Sequence, residues 1–150
     1  MVEGADRLKR RFAAIPPKIL AGARQEIEKV AAQVVAQMDS IKPLPEIQIG
    51  WTWGKVPAGG MQLGEVKGGG RVAVRIFATA FPSDYPRGSQ GFPALARWWE
   101  FGTAERHQKT TGRSTGRIPA QPYFFPTYRS NKRTAQNRIR SRVRRDLKGM

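Results

Sequence analysis

Three groups of residues in this chain have types and spacings that invite a chemical reading. Lys109-Thr110-Thr111 has the ending of a phosphate-binding loop. Ser114, His107 and either Glu100 or Glu105 supply the members of a nucleophilic triad, and Glu100 stands among aromatic residues in Trp98-Trp99-Glu100-Phe101. A phosphate loop needs a glycine five residues before its lysine and a strand ahead of it, yet Ala104 occupies that position. A triad needs fixed mutual geometry, and two of its members fall in Ala104–Arg117 (AERHQKTTGRSTGR), which has no large apolar side chain. Such a segment cannot offset its ordering entropy by burial, so 104–117 is expected to be a flexible loop with His107 solvated. After Glu46 the acidic residues are Glu65, Asp84, Glu100, Glu105 and Asp146, and no spacing among them singles out an acid and a base. The expectation for Glu100 is a partly buried carboxylate paired with an arginine. No catalytic residue is assigned, and the chain reads as a protein that is not an enzyme.

The chain has no cysteine, and its only histidine is His107. A structural zinc site or a disulfide framework therefore lacks its ligands, and no cofactor or metal is expected. No run of apolar residues is long enough to span a bilayer. The N-terminal MVEGADRLKRRF lacks the apolar centre of a secretory signal. The protein is expected to act in the cytoplasm where it is made, without a membrane partner.

Charge carries more information. The formal net charge is +16, and residues 1–50 contribute only +2 of it, with eight basic and six acidic side chains. The remaining residues hold 19 basic against five acidic, net +14. A charge this large is costly to hold in a compact molecule, and more so in an assembly of copies, unless something anionic lies beside it. Its densest stretch is the last one: between Thr127 and Lys148 lie Arg129, Lys132, Arg133, Arg138, Arg140, Arg142, Arg144, Arg145 and Lys148. The first eight of these are the candidate contacts to an anionic partner. By charge alone, nucleic acid, an acidic protein surface or an anionic membrane surface would each serve, and for the last stretch nucleic acid or an acidic protein is the expected partner.

The elements that must position these residues follow from periodicity. Pro16–Pro17 end whatever helix residues 1–15 begin, leaving an arm or a short helix there. Leu20, Ala23, Ile27, Val30, Val34 and Met38 then recur every three or four residues, predicting an amphipathic helix over 17–39. Ile47, Ile49, Trp51 and Trp53 alternate with Glu46, Gln48, Gly50 and Thr52, as in a half-buried strand. Residues 54–70, with seven glycines, read as a long flexible loop or a loose hairpin connection. Arg71–Phe81 alternate again, with Val72, Val74, Ile76, Ala78 and Ala80 on one face, and should pair with the first strand. Pro82–Pro93 is turn-rich. Ala94–Phe101 reads as a short helix with Trp98 and Phe101 toward the core, closed by Gly102. Ile118–Pro126 (IPAQPYFFP) is apolar but broken by three prolines, which suits a sheet edge or a strap. Ala135, Ile139, Val143 and Leu147 give the last helix a narrow apolar seam within a cationic surface. The whole reads as one α+β domain over 1–150: a small antiparallel sheet packed by an N-terminal amphipathic helix and a short central helix, with a basic C-terminal helix.

Trp98-Trp99-Glu100-Phe101-Gly102-Thr103, followed after a basic segment by Pro119-Ala120-Gln121-Pro122-Tyr123-Phe124-Phe125-Pro126, resembles a pair of motifs found in the phage head–tail joining and tail-completion family. Its members are the gene product ten-like virion morphogenesis proteins of lambdoid phages. They carry Glu-Phe-Gly-Thr after an aromatic or aliphatic residue, then a proline-bounded Pro-x-x-Pro-Phe segment leading into a C-terminal helix. The order matches this chain from about residue 17 to 148, and Ile49-Gly50-Trp51-Thr52-Trp53-Gly54 also resembles the first strand of some members. Where many relatives have Pro-x-x-Thr-Gly-x-Leu after the first helix, this chain has Ile41-Lys42-Pro43-Leu44-Pro45-Glu46. The lead into the sheet is expected to differ there.

The resemblance implies a non-enzymatic virion protein at the neck, where tail meets head. It would work as a subunit of a ring of copies, sixfold by analogy, and contact the tail tube or tail terminator, the head connector and packaged DNA. The expected location is the virion, with the host cytoplasm during assembly. The fold-defining positions it points to are Trp98, Trp99, Glu100, Phe101, Gly102, Thr103, Pro119, Pro122, Tyr123 and Phe124. A second reading rests on charge alone: a free basic nucleic-acid-binding protein. The aromatic residues Tyr123, Phe124, Phe125 and Tyr128 just ahead of the basic segment would then serve nucleic acid, whereas in the first reading they are core.

Overall fold

The computed structural model describes residues 17–56, 60–63, 73–80 and 93–149. In chain order these form α1 (Pro17–Ile41), β1 (Ile47–Thr52), β2 (Met61–Leu63), β3 (Arg75–Ala80), α2 (Pro93–Phe101), β4 (Arg106–His107), β5 (Ser114–Gly116) and α3 (Phe125–Lys148). The arm expected over 1–15, the turn-rich 82–92 and both ends of the second expected strand lie outside the described residues. The architecture is α+β: a three-stranded antiparallel sheet with the N-terminal helix packed on it, a short central helix and a long basic C-terminal helix.

α1 forms where the three-to-four spacing places it. Ala23, Ile27, Val30, Val34 and Met38 are all buried along one side. Leu20, expected in that stripe, is 39% exposed, and Ile19 is buried in its place at 3%. The cause is the neighbour at that end of the helix. α3 runs antiparallel to α1, with Asp146 against Gly22, Arg138 bonded to Glu26 and Asn131 bonded to Gln37. At about 100° per residue Leu20 points well away from this side, while Ile19 lies nearer to it.

The sheet order is β1-β3-β2, so the last of the three strands in sequence is the central one. β1 and β3 pair as expected, with Ile47 opposite Ala80, Ile49 opposite Ala78 and Trp51 opposite Ile76. Because paired residues share a face, these six side chains form one surface. Met61 opposite Ala78 and Leu63 opposite Ile76 extend it on the other edge. Gly50 lies opposite Phe77, and a Cβ at that glycine would come within 2.9 Å of the Phe77 ring, so the absent side chain makes room for the aromatic one. β2 departs from expectation: it sits inside the glycine-rich 54–70 segment, and it is three residues long. Met61 and Leu63 are buried there at 8% and 9%, and that apolar area together with pairing to β3 outweighs the low strand propensity of a glycine-rich sequence.

Met38, Ile47, Ala78, Ala80, Ala96 and Phe124 have no exposed surface, and with Tyr123 they draw every layer into one core. The segment 104–117, expected to be an unstructured loop, carries the β4–β5 ladder. All of its side chains are exposed. Backbone pairing and tip bonds, including Gln108 N–H to the Arg113 carbonyl and Gly112 N–H to the Gln108 carbonyl, organise it in place of apolar burial.

Candidate functional site

The two halves of the motif pair meet. α2 ends at Phe101, and the Gly102 N–H closes its last turn on the Trp98 carbonyl at 2.7 Å. Gly102 then takes φ +75°, and a Cβ there would stand 3.0 Å from the Ala120 nitrogen and 3.1 Å from the Ile118 oxygen, both backbone atoms. Glycine is required twice over, for the left-handed conformation and for the close approach of the returning chain. Thr103 fixes that return: its N–H donates to the Ile118 carbonyl at 2.9 Å, and its hydroxyl oxygen accepts from the Ile118 N–H at 2.9 Å. The Gln121 N–H donates to the Trp99 carbonyl at 2.7 Å. Ile118–Pro126 therefore straps the C-terminal end of α2, and it is not a strand at a sheet edge.

Glu100 is the centre of this unit. It is 2% exposed, and its carboxylate accepts three backbone N–H groups: Tyr123 at 2.8 Å and Phe124 at 2.9 Å on Oε2, Phe125 at 3.0 Å on Oε1. These donors open α3. The first N–H groups of a helix have no acceptor within it, and the helix dipole places partial positive charge there. Phe124 occupies the N-cap position with no side-chain cap of its own, and Pro126 has no N–H to satisfy. The carboxylate of a different helix thus supplies the cap. The arginine partner expected for Glu100 is not what holds it: among the described residues no ion pair reaches it, and the amino end of α3 takes that role.

This geometry also corrects the orientation of α2. Ala96 and Glu100, one turn apart, face inward, while Phe101 is 58% exposed and Trp98 is half-buried. Phe101 packs on Phe125, with ring centroids 5.5 Å apart, and the Arg106 guanidinium lies 5.1 Å above the Trp98 ring. A carboxylate can take the inward position because both of its buried oxygens find donors. Trp99 packs at the margin of the core, and Pro119 and Pro122 are exposed along the strap.

Tyr123 and Phe124 are buried at 1% and 0%, which makes the aromatic cluster core. The Tyr123 hydroxyl donates to the Ala96 carbonyl at 3.2 Å, and the Thr127 hydroxyl donates back to the Tyr123 carbonyl at 2.7 Å. Neither Ala96 nor Thr127 stands out in the sequence, because an alanine's carbonyl and a helix-start threonine carry no pattern of their own. Burial, and after it the negative charge of Glu100, push the Tyr123 phenol well above its ordinary value. The folded state keeps this proton where an unfolded tyrosine, near 10, loses it. The phenol therefore opposes folding only as pH rises beyond about 10, where the unfolded state gains the free energy of ionisation and the folded state does not. Tyr123→Phe should cost about 1 kcal/mol at neutral pH through loss of the buried bond from its hydroxyl to the Ala96 carbonyl. It should also lose less stability than the parent between about pH 8 and about pH 11, read from urea midpoints. Equal losses would contradict this.

The residues considered for catalysis are brought near one another but bonded in the wrong order. His107 and Ser114 are paired across the hairpin, yet the Ser114 hydroxyl donates to Glu105 at 2.7 Å, and the His107 ring lies 3.3 Å from the Gly112 carbonyl. A triad needs the serine proton directed at the imidazole. Lys109-Thr110-Thr111 forms the hairpin tip, with Thr111 bonded to Gln108 at 2.7 Å, and it leads into β5 and not into the amino end of a helix that would bind phosphate.

Of the eight residues expected to meet an anionic partner, two are used internally. Arg138 pairs with Glu26 at 2.8 Å and also bonds Gln33, and Arg142 pairs with Asp146 at 3.0 Å. The structure places both on the side of α3 that meets α1. Arg129, Lys132, Arg133, Arg140, Arg144 and Arg145 are exposed. Of the seam residues, Ala135, Ile139 and Val143 are half-buried and Leu147 is 52% exposed, so the apolar seam is only partly covered and polar contacts from Asn131, Arg138 and Asp146 make up much of the α1–α3 interface. No family model, curated protein or solved structure matches this chain.

Proposed function

We propose that this protein is a structural component of a tailed-phage particle, a ring-forming subunit of the head–tail joint that completes the tail or joins it to the head. The observation that carries the reading is the three-way capping of α3 by Glu100. The resemblance rests on two short motifs, and each is ambiguous alone. Here the glutamate and glycine of the first bond or abut the backbone of the second, and its threonine bonds Ile118 directly ahead of it, so the pair behaves as one fold-defining unit with a physical reason for its spacing. The arrangement is a scaffold: Glu100 is sealed among backbone donors and is spent on holding a helix. What the scaffold presents is a long cationic helix and an exposed basic hairpin. A ring of such subunits concentrates positive charge, which an anionic neighbour at the joint would relieve.

The test is to delete the gene from its parent phage or prophage, induce lysis and image the lysate by negative-stain electron microscopy. Filled heads and tails should appear as separate objects, or tails should have irregular lengths. Intact joined particles would overturn the reading. In that case the free nucleic-acid-binding protein moves to first place, favoured by the exposed arginines of α3.

A further inference from the structure

We infer that the solvent face of α3 is a binding surface for the backbone of duplex DNA, and that it reads no base sequence. At 100° per residue, Arg129, Arg133, Arg140, Arg144 and Lys148 fall within about a third of the helix circumference, opposite the side that meets α1. All five are exposed, as are Gln136 and Asn137 between them. The only carboxylate on the helix, Asp146, lies on the α1 side and is held by Arg142. The face is thus cationic along its length, and α3, at 24 residues and about 1.5 Å per residue, is about 36 Å long. One turn of B-form duplex is about 34–36 Å.

Two features favour duplex phosphates over other anionic partners. Protein interfaces centre on a few anchors, Trp, Tyr and Arg foremost, packed in desolvated pockets, whereas the cations of this stripe form an open row with no aromatic residue among them and Leu147 in the last turn as its one large apolar side chain. Single-stranded nucleic acid is held by stacking on exposed aromatic side chains. The aromatic residues of α3, Phe125 and Tyr128, are half-buried and packed against the core. Arginines interleaved with neutral amides and hydroxyls along one continuous helix match the contacts that position proteins on a phosphate backbone. The inference goes beyond the head–tail reading and does not depend on it, since it concerns the isolated chain.

The experiment is a fluorescence-anisotropy titration of the full-length protein with a mixed-sequence DNA duplex over a range of salt concentrations. If the five cations each meet a phosphate, log K should fall with log salt at a slope of about −4 or steeper. The triple variant Arg133→Gln, Arg140→Gln, Arg144→Gln should flatten that slope by about 3. A matched variant with the same charge loss on the hairpin, Lys109→Gln, Arg113→Gln, Arg117→Gln, should leave it within about half a unit of the parent. Circular dichroism and urea midpoints confirm that both variants fold. Equal flattening by the two variants would mean that only total charge matters and would overturn the inference. So would tighter binding of a single strand, or displacement of the duplex by polyglutamate at equal charge.

Discussion

Glu100→Ala should lower the stability of the fold by about 4 kcal/mol. Removing the carboxylate leaves the N–H groups of Tyr123, Phe124 and Phe125 without their acceptor, with Tyr123 and Phe124 buried. Each orphaned buried donor costs about 1–3 kcal/mol, and a favourable charge at the start of α3 is lost as well. A small domain has about 5–15 kcal/mol in total, so the loss takes up much of the reserve. With a urea m-value of about 2 kcal/mol per molar, the unfolding midpoint should fall by about 2 M. Glu100→Gln separates the parts of this effect. Its amide oxygen can still accept from Tyr123 and Phe124, but its NH2 then faces the Phe125 N–H, donor against donor, so a loss of about 2 kcal/mol is expected. An alanine variant within about 1 kcal/mol of the parent would show that water or a shifted backbone satisfies the start of α3, and the capping account would fail.

Gly102→Ala is the second large effect, about 3 kcal/mol. Part is conformational: a residue with a Cβ held at φ +75° costs about 1–2 kcal/mol. The rest is the approach of the Ala120 nitrogen and the Ile118 oxygen, backbone atoms of a strap that the Thr103 bonds to Ile118 and the Gln121 bond to Trp99 hold in place. The molecule supplies its own control. Gly112 and Gly116 also have positive φ, at 64° and 81°, but nothing lies within 4 Å of where their Cβ would be. Gly112→Ala and Gly116→Ala should each cost about 1–2 kcal/mol, less than Gly102→Ala, because only the backbone term applies there. If all three alanines cost the same in urea denaturation, the close packing of the strap on α2 contributes nothing.

The long periodic elements are legible in the sequence. α1 and the pairing of the two clearest strands follow from spacings that admit only one buried face, and the basic last helix follows from its seam and its charge. What stays hidden depends on contacts distant in sequence. Leu20 has the right spacing but sits at the end of α1 where α3 is the neighbour, so Ile19 is buried instead. β2 is too short to carry a period and is made by β3 beside it. The hairpin at 104–117 has no large apolar residues to announce it and is held by backbone bonds.

Glu100 shows the same limit at the site. The sequence marks it as a carboxylate among aromatics, and the general expectation for such a group is a cationic side chain nearby. The partner is the positive end of a helix that begins more than twenty residues later. No composition or periodicity encodes that, although the proline-bounded segment ahead of the helix hints that its start needs help. Similarly, Arg138 and Arg142 are indistinguishable in sequence from their exposed neighbours, and only the antiparallel packing of α3 on α1 separates them.

The central claim, that this chain itself joins heads to tails, is tested most directly by adding the purified protein to a lysate of the deletion phage and measuring infectious titre alongside the fraction of joined particles. Both should rise with the wild-type protein, saturating once each joint is filled. A lysate that holds filled heads and finished tails, yet shows no gain in titre or joined particles at any concentration of folded protein, would contradict the account.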